Sequence, residues 1–142
     1  IEMFKERPFL GFGPGTYAFE YARFQEPENM TIISTNFGDG GNAHSEYLGP
    51  MAEMGVLGLV TFLLVVAAVF YKGITLYIQW PKENREMKVL LLSMNLALVT
   101  YFVHGVLNNY LDTDKAAIPI WGICACFIAL DFRLKSGQVQ KV

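Results

Sequence analysis

Apolar positions in this chain do not alternate with polar ones; they gather into three runs, at residues 55–80, 87–107 and 116–132. About 20 helical residues at roughly 1.5 Å each cross the ~30 Å apolar layer of a bilayer. The first two runs reach that length and the third comes close to it. The pattern therefore predicts an all-α integral membrane protein with three transmembrane helices. The first run is longer than a perpendicular span needs, so tilt is expected, with Lys72 snorkelling toward the nearer interface. Pro81 ends that helix. The third helix is expected to start near Ala116, with Pro119 in its first turn, where a missing N–H matters least.

Between the runs the charges are unequal. Residues 80–88 carry Lys82, Arg85 and Lys88, and the tail carries Arg133, Lys135 and Lys141. The positive-inside rule assigns both to the cytoplasm. The segment "NNYLDTDK", residues 108–115, has two aspartates and one lysine and falls on the outer side. Alternation then places residues 1–54 outside as well, with eight acidic and three basic residues. The division expected is an extracytoplasmic loop region over residues 1–54 and a membrane region over residues 55–142 with a short cytoplasmic tail. Trp80, Tyr77, Tyr101, Tyr110 and Trp121 fall where interfacial rings settle.

The loop region has structure of its own. Residues 1–6 read as the end of a helix. "GFGPG", residues 11–15, is a turn, because its glycines and proline oppose both helix and strand. Thr16 can then cap a short surface helix, "YAFEYARF", with aromatic rings on it. Residues 26–43 read as loop.

Composition agrees with the pattern. Hydrophobic residues make up 53% of the chain and charged ones 17%, below the roughly 25% of a soluble domain. A net charge of −2 gives no reason to expect a nucleic-acid partner. The chain opens at Ile1 with no signal-peptide pattern, and reads as the C-terminal part of a longer multispanning bundle. Cys124 and Cys126, two apart on one helix, point to different faces and are expected as small buried apolar residues rather than a bridge.

Few residues here can do chemistry. His44 follows a glycine-rich turn at residues 38–41 and precedes the first span. An imidazole at the outer surface can take a proton from a substrate head group. It can equally be a polar residue marking the interface. His104, near the outer end of the second run, is open between a structural hydrogen bond and a functional role, with Asn108 one turn further on the same face. Arg7, Arg23 and Lys115 are outer cations, and Arg can grip phosphate with two donors. Asp112 and Asp114 are oxygen groups two residues apart, weak as a metal site. "GFGPG" lacks the Gly-Lys-Ser/Thr of a phosphate loop, and "HSEYL" lacks the second histidine of a metalloprotease motif.

Three stretches together resemble the C-terminal part of the O-antigen ligase and O-antigen polymerase superfamily: "RPFLGFGPGTYAFEY" (residues 7–21), "AHSEYLGPMAEMGVLGLVTFLL" (residues 43–64) and "HGVLNNYLDTDKAAIPIWG" (residues 104–122). The family pattern runs Pro-x-x-Gly-x-Gly, a variable loop, His-Asn-x-Tyr-Leu, then Glu-x-Gly-x-x-Gly into a helix. Here Ser45 stands for the Asn, and Gly49 follows Leu48 where Gln is usual, so acceptor contacts do not carry over.

The resemblance implies a metal-independent glycosyltransferase of the bacterial inner membrane, without cofactor. It would move a glycan from a polyprenyl diphosphate carrier to an acceptor hydroxyl, on lipid A–core, a growing glycan or a protein. His44 would be the general base. Arg23, Arg7 and Lys115 are the candidates for holding the diphosphate, with Glu46, Tyr47, Glu53, His104 and Asn108 in support. The rivals are a polymerase of the same superfamily, a flippase, or a noncatalytic polysaccharide-export protein. A flippase would thread polar groups along its helices at mid-membrane, whereas here they gather at the outer ends.

Overall fold

A computed structural model describes residues 1–29, 42–112 and 114–137. Among them every regular element is helical: α1 (Glu2–Glu6), α2 (Tyr17–Glu20), α3 (Leu48–Gln79), α4 (Arg85–His104) and α5 (Asp114–Lys135), with 3-10 turns at Tyr21–Phe24, Pro27–Asn29 and Tyr110–Asp112. Three of these helices, α3, α4 and α5, are long and apolar enough to cross a membrane. Only 11–17% of the most apolar window of each is buried within the chain, so most of their apolar surface faces outward.

The boundaries differ from expectation in instructive ways. The first span is expected from Gly55, but α3 starts at Leu48 and that glycine is a break within it. Its φ of 64° interrupts α3, and a further helical limb, residues 48–54, precedes it. Ser45 makes that limb possible by capping it, and Pro50 sits in its first turn. The third span begins at Asp114, earlier than expected, so Pro119 lies inside the helix rather than in its first turn. There it removes an N–H that would bond the carbonyl four residues back. Thr16 is the N-cap of α2 by position only, since its hydroxyl donates to the Gly13 carbonyl at 2.6 Å. Trp80 is buried within the chain, and among the described residues its indole N–H has no partner. Cys126 is exposed rather than buried, and both cysteines are free.

Contacts divide the chain into two compact units. The first contains Ile1–Leu64 and Gly105–Asn109, with Met3, Ala22 and Ala52 at its centre. The second contains Val65–His104 and the chain from Tyr110 onward, built on Leu76, Leu91, Leu98 and Phe127. Within the second unit the Phe70 and Phe102 rings meet at 5.7 Å. At Gly73, α3 lies directly against side chains of α4 and α5. A Cβ placed there would collide with Asn95 Oδ1 and stand 2.6 Å from the Phe127 ring. Small residues at such crossings let helices approach without the hydrophobic effect that drives packing in water.

Candidate functional site

The break at Gly55 exposes backbone groups, and the glycine turn takes them up. With residue 55 out of helical geometry, the Val56 N–H has no partner four residues back. It donates instead to the Pro8 carbonyl at 2.7 Å, while the Gly13 N–H donates to the Glu53 carbonyl at 2.7 Å. Backbone lies directly on backbone. A Cβ on Gly11 would collide with the main chain of Glu53 and Met54, and one on Gly55 would stand 2.5 Å from that of Phe9. Gly11 and Gly55 both have φ of 64°. The Glu53 carboxylate completes the strap. It accepts the Gly15 N–H at 2.9 Å on one oxygen and the Tyr17 N–H at 3.0 Å on the other, capping α2 in place of Thr16. Two charge-assisted bonds to backbone make Glu53 an anchor.

The segment before α3 is fixed as firmly. Ser45 is buried, and its Oγ accepts the N–H groups of Tyr47 and Leu48, each at 3.2 Å. Ser45 is therefore the cap of the first limb. Glu46 is buried next to it, and its N–H is shared between the carbonyls of Gly105 at 2.9 Å and Asn108 at 3.2 Å. The Tyr47 ring meets Phe62 edge-on at 5.2 Å, and burial, then the Glu46 charge, push its phenol pKa up.

His44 stands on this fixed base and is itself exposed. Its N–H donates to Asn42 Oδ1 at 2.8 Å, and its φ is 46°, the left-handed region that residues other than glycine seldom enter. The turn is thus held through its backbone, and the imidazole is exposed. The glycine-rich stretch at residues 38–41 lies outside the described residues.

A cavity of about 220 Å³ opens in the same unit. Met3, Phe4, Tyr17, Tyr21 and Met51 line it, together with Ala43, which precedes the histidine. Tyr17 and Tyr21 stack at 4.9 Å, and burial pushes the Tyr17 phenol up to about 12, with Tyr21 adding to the effect.

Arg7 and Arg23 share one ring. Their guanidinium carbons lie 4.7 and 5.0 Å from the centre of Phe12. Their surroundings differ. Arg23 also covers Phe24 and pairs with Glu6 at 3.1 Å and Glu20 at 3.0 Å, so its charge is already met twice. Arg7 is exposed, and among the described residues its guanidinium has only the ring contact. Neither arginine bonds His44 among the described residues. His104 lies in the last turn of α4 and Lys115 in the first turn of α5, both in the second unit, where Lys115 is exposed.

Of the sequence candidates, the structure joins Glu46 to Asn108, Glu53 to the glycine turn, and Arg7 to Arg23. Sequence reasoning missed the roles of Ser45 and of Asp131. The carboxylate of Asp131, in the third apolar run, receives both Lys72 at 3.0 Å and Lys135 at 2.8 Å. The signal was available: one lysine and one aspartate each interrupt an apolar run at the same end of the spans. Among the described residues no three His, Cys, Asp or Glu side chains gather as metal ligands, and the side chains of Asp112 and Asp114 lie outside the described set. Comparison with protein-family models, with curated proteins and with solved structures gives no match for this chain.

Proposed function

We propose that the protein is an O-antigen ligase-like glycosyltransferase, acting at the outer face of the bacterial inner membrane. The observation that carries the reading is His44: an exposed imidazole on a strained, capped turn at the head of a helix able to cross a membrane. A lipid-linked donor stays in the bilayer with its diphosphate and glycan at the surface, which is where such a helix begins.

In the proposed reaction His44 takes the proton of the acceptor hydroxyl. The acceptor oxygen forms a bond to the anomeric carbon as the bond from that carbon to the carrier's diphosphate breaks. The diphosphate departs with the electron pair, and Arg7 supplies positive charge for it. A diphosphate so stabilised leaves without a general acid, and the reaction calls for no metal or nucleotide. A cavity lined by Ala43, the residue before the base, lies in the same unit. Ser45 also supports the resemblance, since Ser and Asn are two of the favoured helix caps. The exchange at that position keeps the cap of α3. In this reading residues 1–54 and 108–115 are periplasmic, and residues 81–88 and 133–142 cytoplasmic.

The test is transfer from a polyprenyl diphosphate glycan to lipid A–core by the full-length protein in proteoliposomes. His44→Ala is expected to reduce transfer to background with unchanged insertion. Normal transfer by that variant removes His44 as the base. No transfer by the unaltered protein to lipid A–core, to a lipid-linked glycan or to a protein acceptor removes the function.

A further inference from the structure

Lys72, Asp131 and Lys135 form a cluster that the proposed transfer does not use. Lys72 lies seven residues before the end of α3, about 10 Å along its axis. Asp131 and Lys135 are one turn apart at the end of α5. Both ammonium groups bond the same oxygen, Asp131 Oδ2. One carboxylate balances one ammonium, so the cluster holds a surplus positive charge. Nearby, Lys88 is already engaged by the Tyr77 carbonyl at 2.9 Å and by the Tyr77 ring.

Accessibility and surroundings say what the surplus meets. Asp131 is 16% exposed and Lys135 69%, so the carboxylate is the inner member and the ammonium the outer one. On α5, Ile128, Phe132 and Lys135 follow at spacings of four and three, along one face. Ile128 and Phe132 are both exposed, and on α3 Tyr71 and Ile74, which flank Lys72 and Gly73, are exposed too. Apolar surface therefore leads along the helices to a pair of ammonium groups near their ends. A free inorganic anion would match the ammonium groups alone. A phospholipid matches both parts, with acyl chains along the apolar face and a phosphate at the depth of the helix ends.

We propose that Lys72 and Lys135 bind the phosphate of an anionic phospholipid, and that Asp131 holds the two ammonium groups side by side to receive it. The two free oxygens of a phosphodiester can each accept from one ammonium. Asp131 is a positioning residue here. The site is independent of glycan transfer and stands or falls separately from it.

The experiment uses the full-length protein in nanodiscs of phosphatidylcholine, with and without phosphatidylglycerol. Retained lipid is read by native mass spectrometry and stability by thermal midpoint. The unaltered protein is expected to retain phosphatidylglycerol and to melt higher in its presence. Lys135→Gln, at an exposed position one turn beyond Asp131, is expected to lower retention about fivefold. Lys82→Gln, in the loop before α4, is expected to leave it unchanged. Equal retention by Lys135→Gln and the unaltered protein overturns the site. So does an equal loss in Lys82→Gln, which would indicate diffuse attraction. Inorganic phosphate, added to phosphatidylcholine discs, is expected to leave the midpoint unmoved; a rise matching that from phosphatidylglycerol overturns the lipid assignment.

Discussion

His44 shows how a single residue can carry strain and chemistry at once. It is the one non-glycine among the described residues with positive φ. That region costs an L-residue about 1–2 kcal/mol, and histidine tolerates it better than most. Glycine would relieve the strain but would also free the unfolded chain, by roughly 0.4–1 kcal/mol. The two effects nearly cancel. His44→Gly is therefore expected to change thermal stability by less than about 1 kcal/mol while abolishing transfer. A large loss of stability would show that the imidazole holds the turn, and would detach it from catalysis. The two arginines separate by the same kind of reasoning. Arg7→Gln is expected to raise the KM for the lipid diphosphate with little change in melting. Arg23→Gln breaks two half-exposed ion pairs, each worth about 0–1 kcal/mol, and is expected to lower the melting point first. The opposite pattern in donor dependence would make Arg23 the diphosphate ligand. Tyr17 predicts a pH effect. Its phenol is pushed up to about 12 in the folded chain, above the ordinary value near 10. The stability linked to it is complete below pH 10 and is lost as pH rises toward 12. Tyr17→Phe is expected to flatten that alkaline loss in a melting series.

At the scale of elements, the glycine strap and the broken helix define each other. Gly55 frees the Val56 N–H, Pro8 receives it, and Gly11 lets the two backbones meet. A methyl at either glycine collides with main chain, which cannot rotate away, and both positions have φ of 64°. Gly11→Ala and Gly55→Ala are each expected to cost more than about 2 kcal/mol, at the severe end of single substitutions. The strap would then open to protease in the first unit while the spans stay inserted; a protected strap would show that other contacts hold it. Sequence reading reached part of this. Composition placed "GFGPG" as a turn, since no side-chain contact is needed to know that Gly-Pro-Gly resists helix and strand. It could not see that the turn lies on Glu53, because that contact spans 38 residues and depends on backbone groups that every residue carries. Gly55 was legible as a boundary. The limb before it was not, because its cap is Ser45, and a serine in a polar stretch looks like loop until its hydroxyl is seen accepting two N–H groups.

Over the molecule as a whole, hydrophobicity located three helices long and apolar enough to cross a membrane, but not their mutual contacts. Apolar runs report affinity for a bilayer, and that affinity is nearly the same for a lipid-facing leucine and a helix-facing one. The crossing at Gly73 was hidden for that reason, as was Asn95 within the second run. Asn95 donates to the Leu91 carbonyl at 2.8 Å, and its Oδ1 lies buried against Gly73 with no hydrogen-bond partner among the described residues. Phe127, at 1% exposure, closes the other side. Gly73→Ala drives a methyl into both neighbours, an overpacking expected to cost about 1–3 kcal/mol. Asn95→Ala loses the bond to Leu91 but also removes a buried unpaired oxygen, whose desolvation costs about 1–3 kcal/mol. Its net effect should be smaller than that of Gly73→Ala. The double variant places the new methyl in the space that the amide vacates. Melting in detergent should therefore show a double variant more stable than the sum of the two single losses, by about 0.5–3 kcal/mol. Strict additivity would mean that Phe127 alone sets the spacing of the helices. In that case Gly73→Ala with Phe127→Leu should recover the stability instead, because a shorter side chain then clears the same methyl.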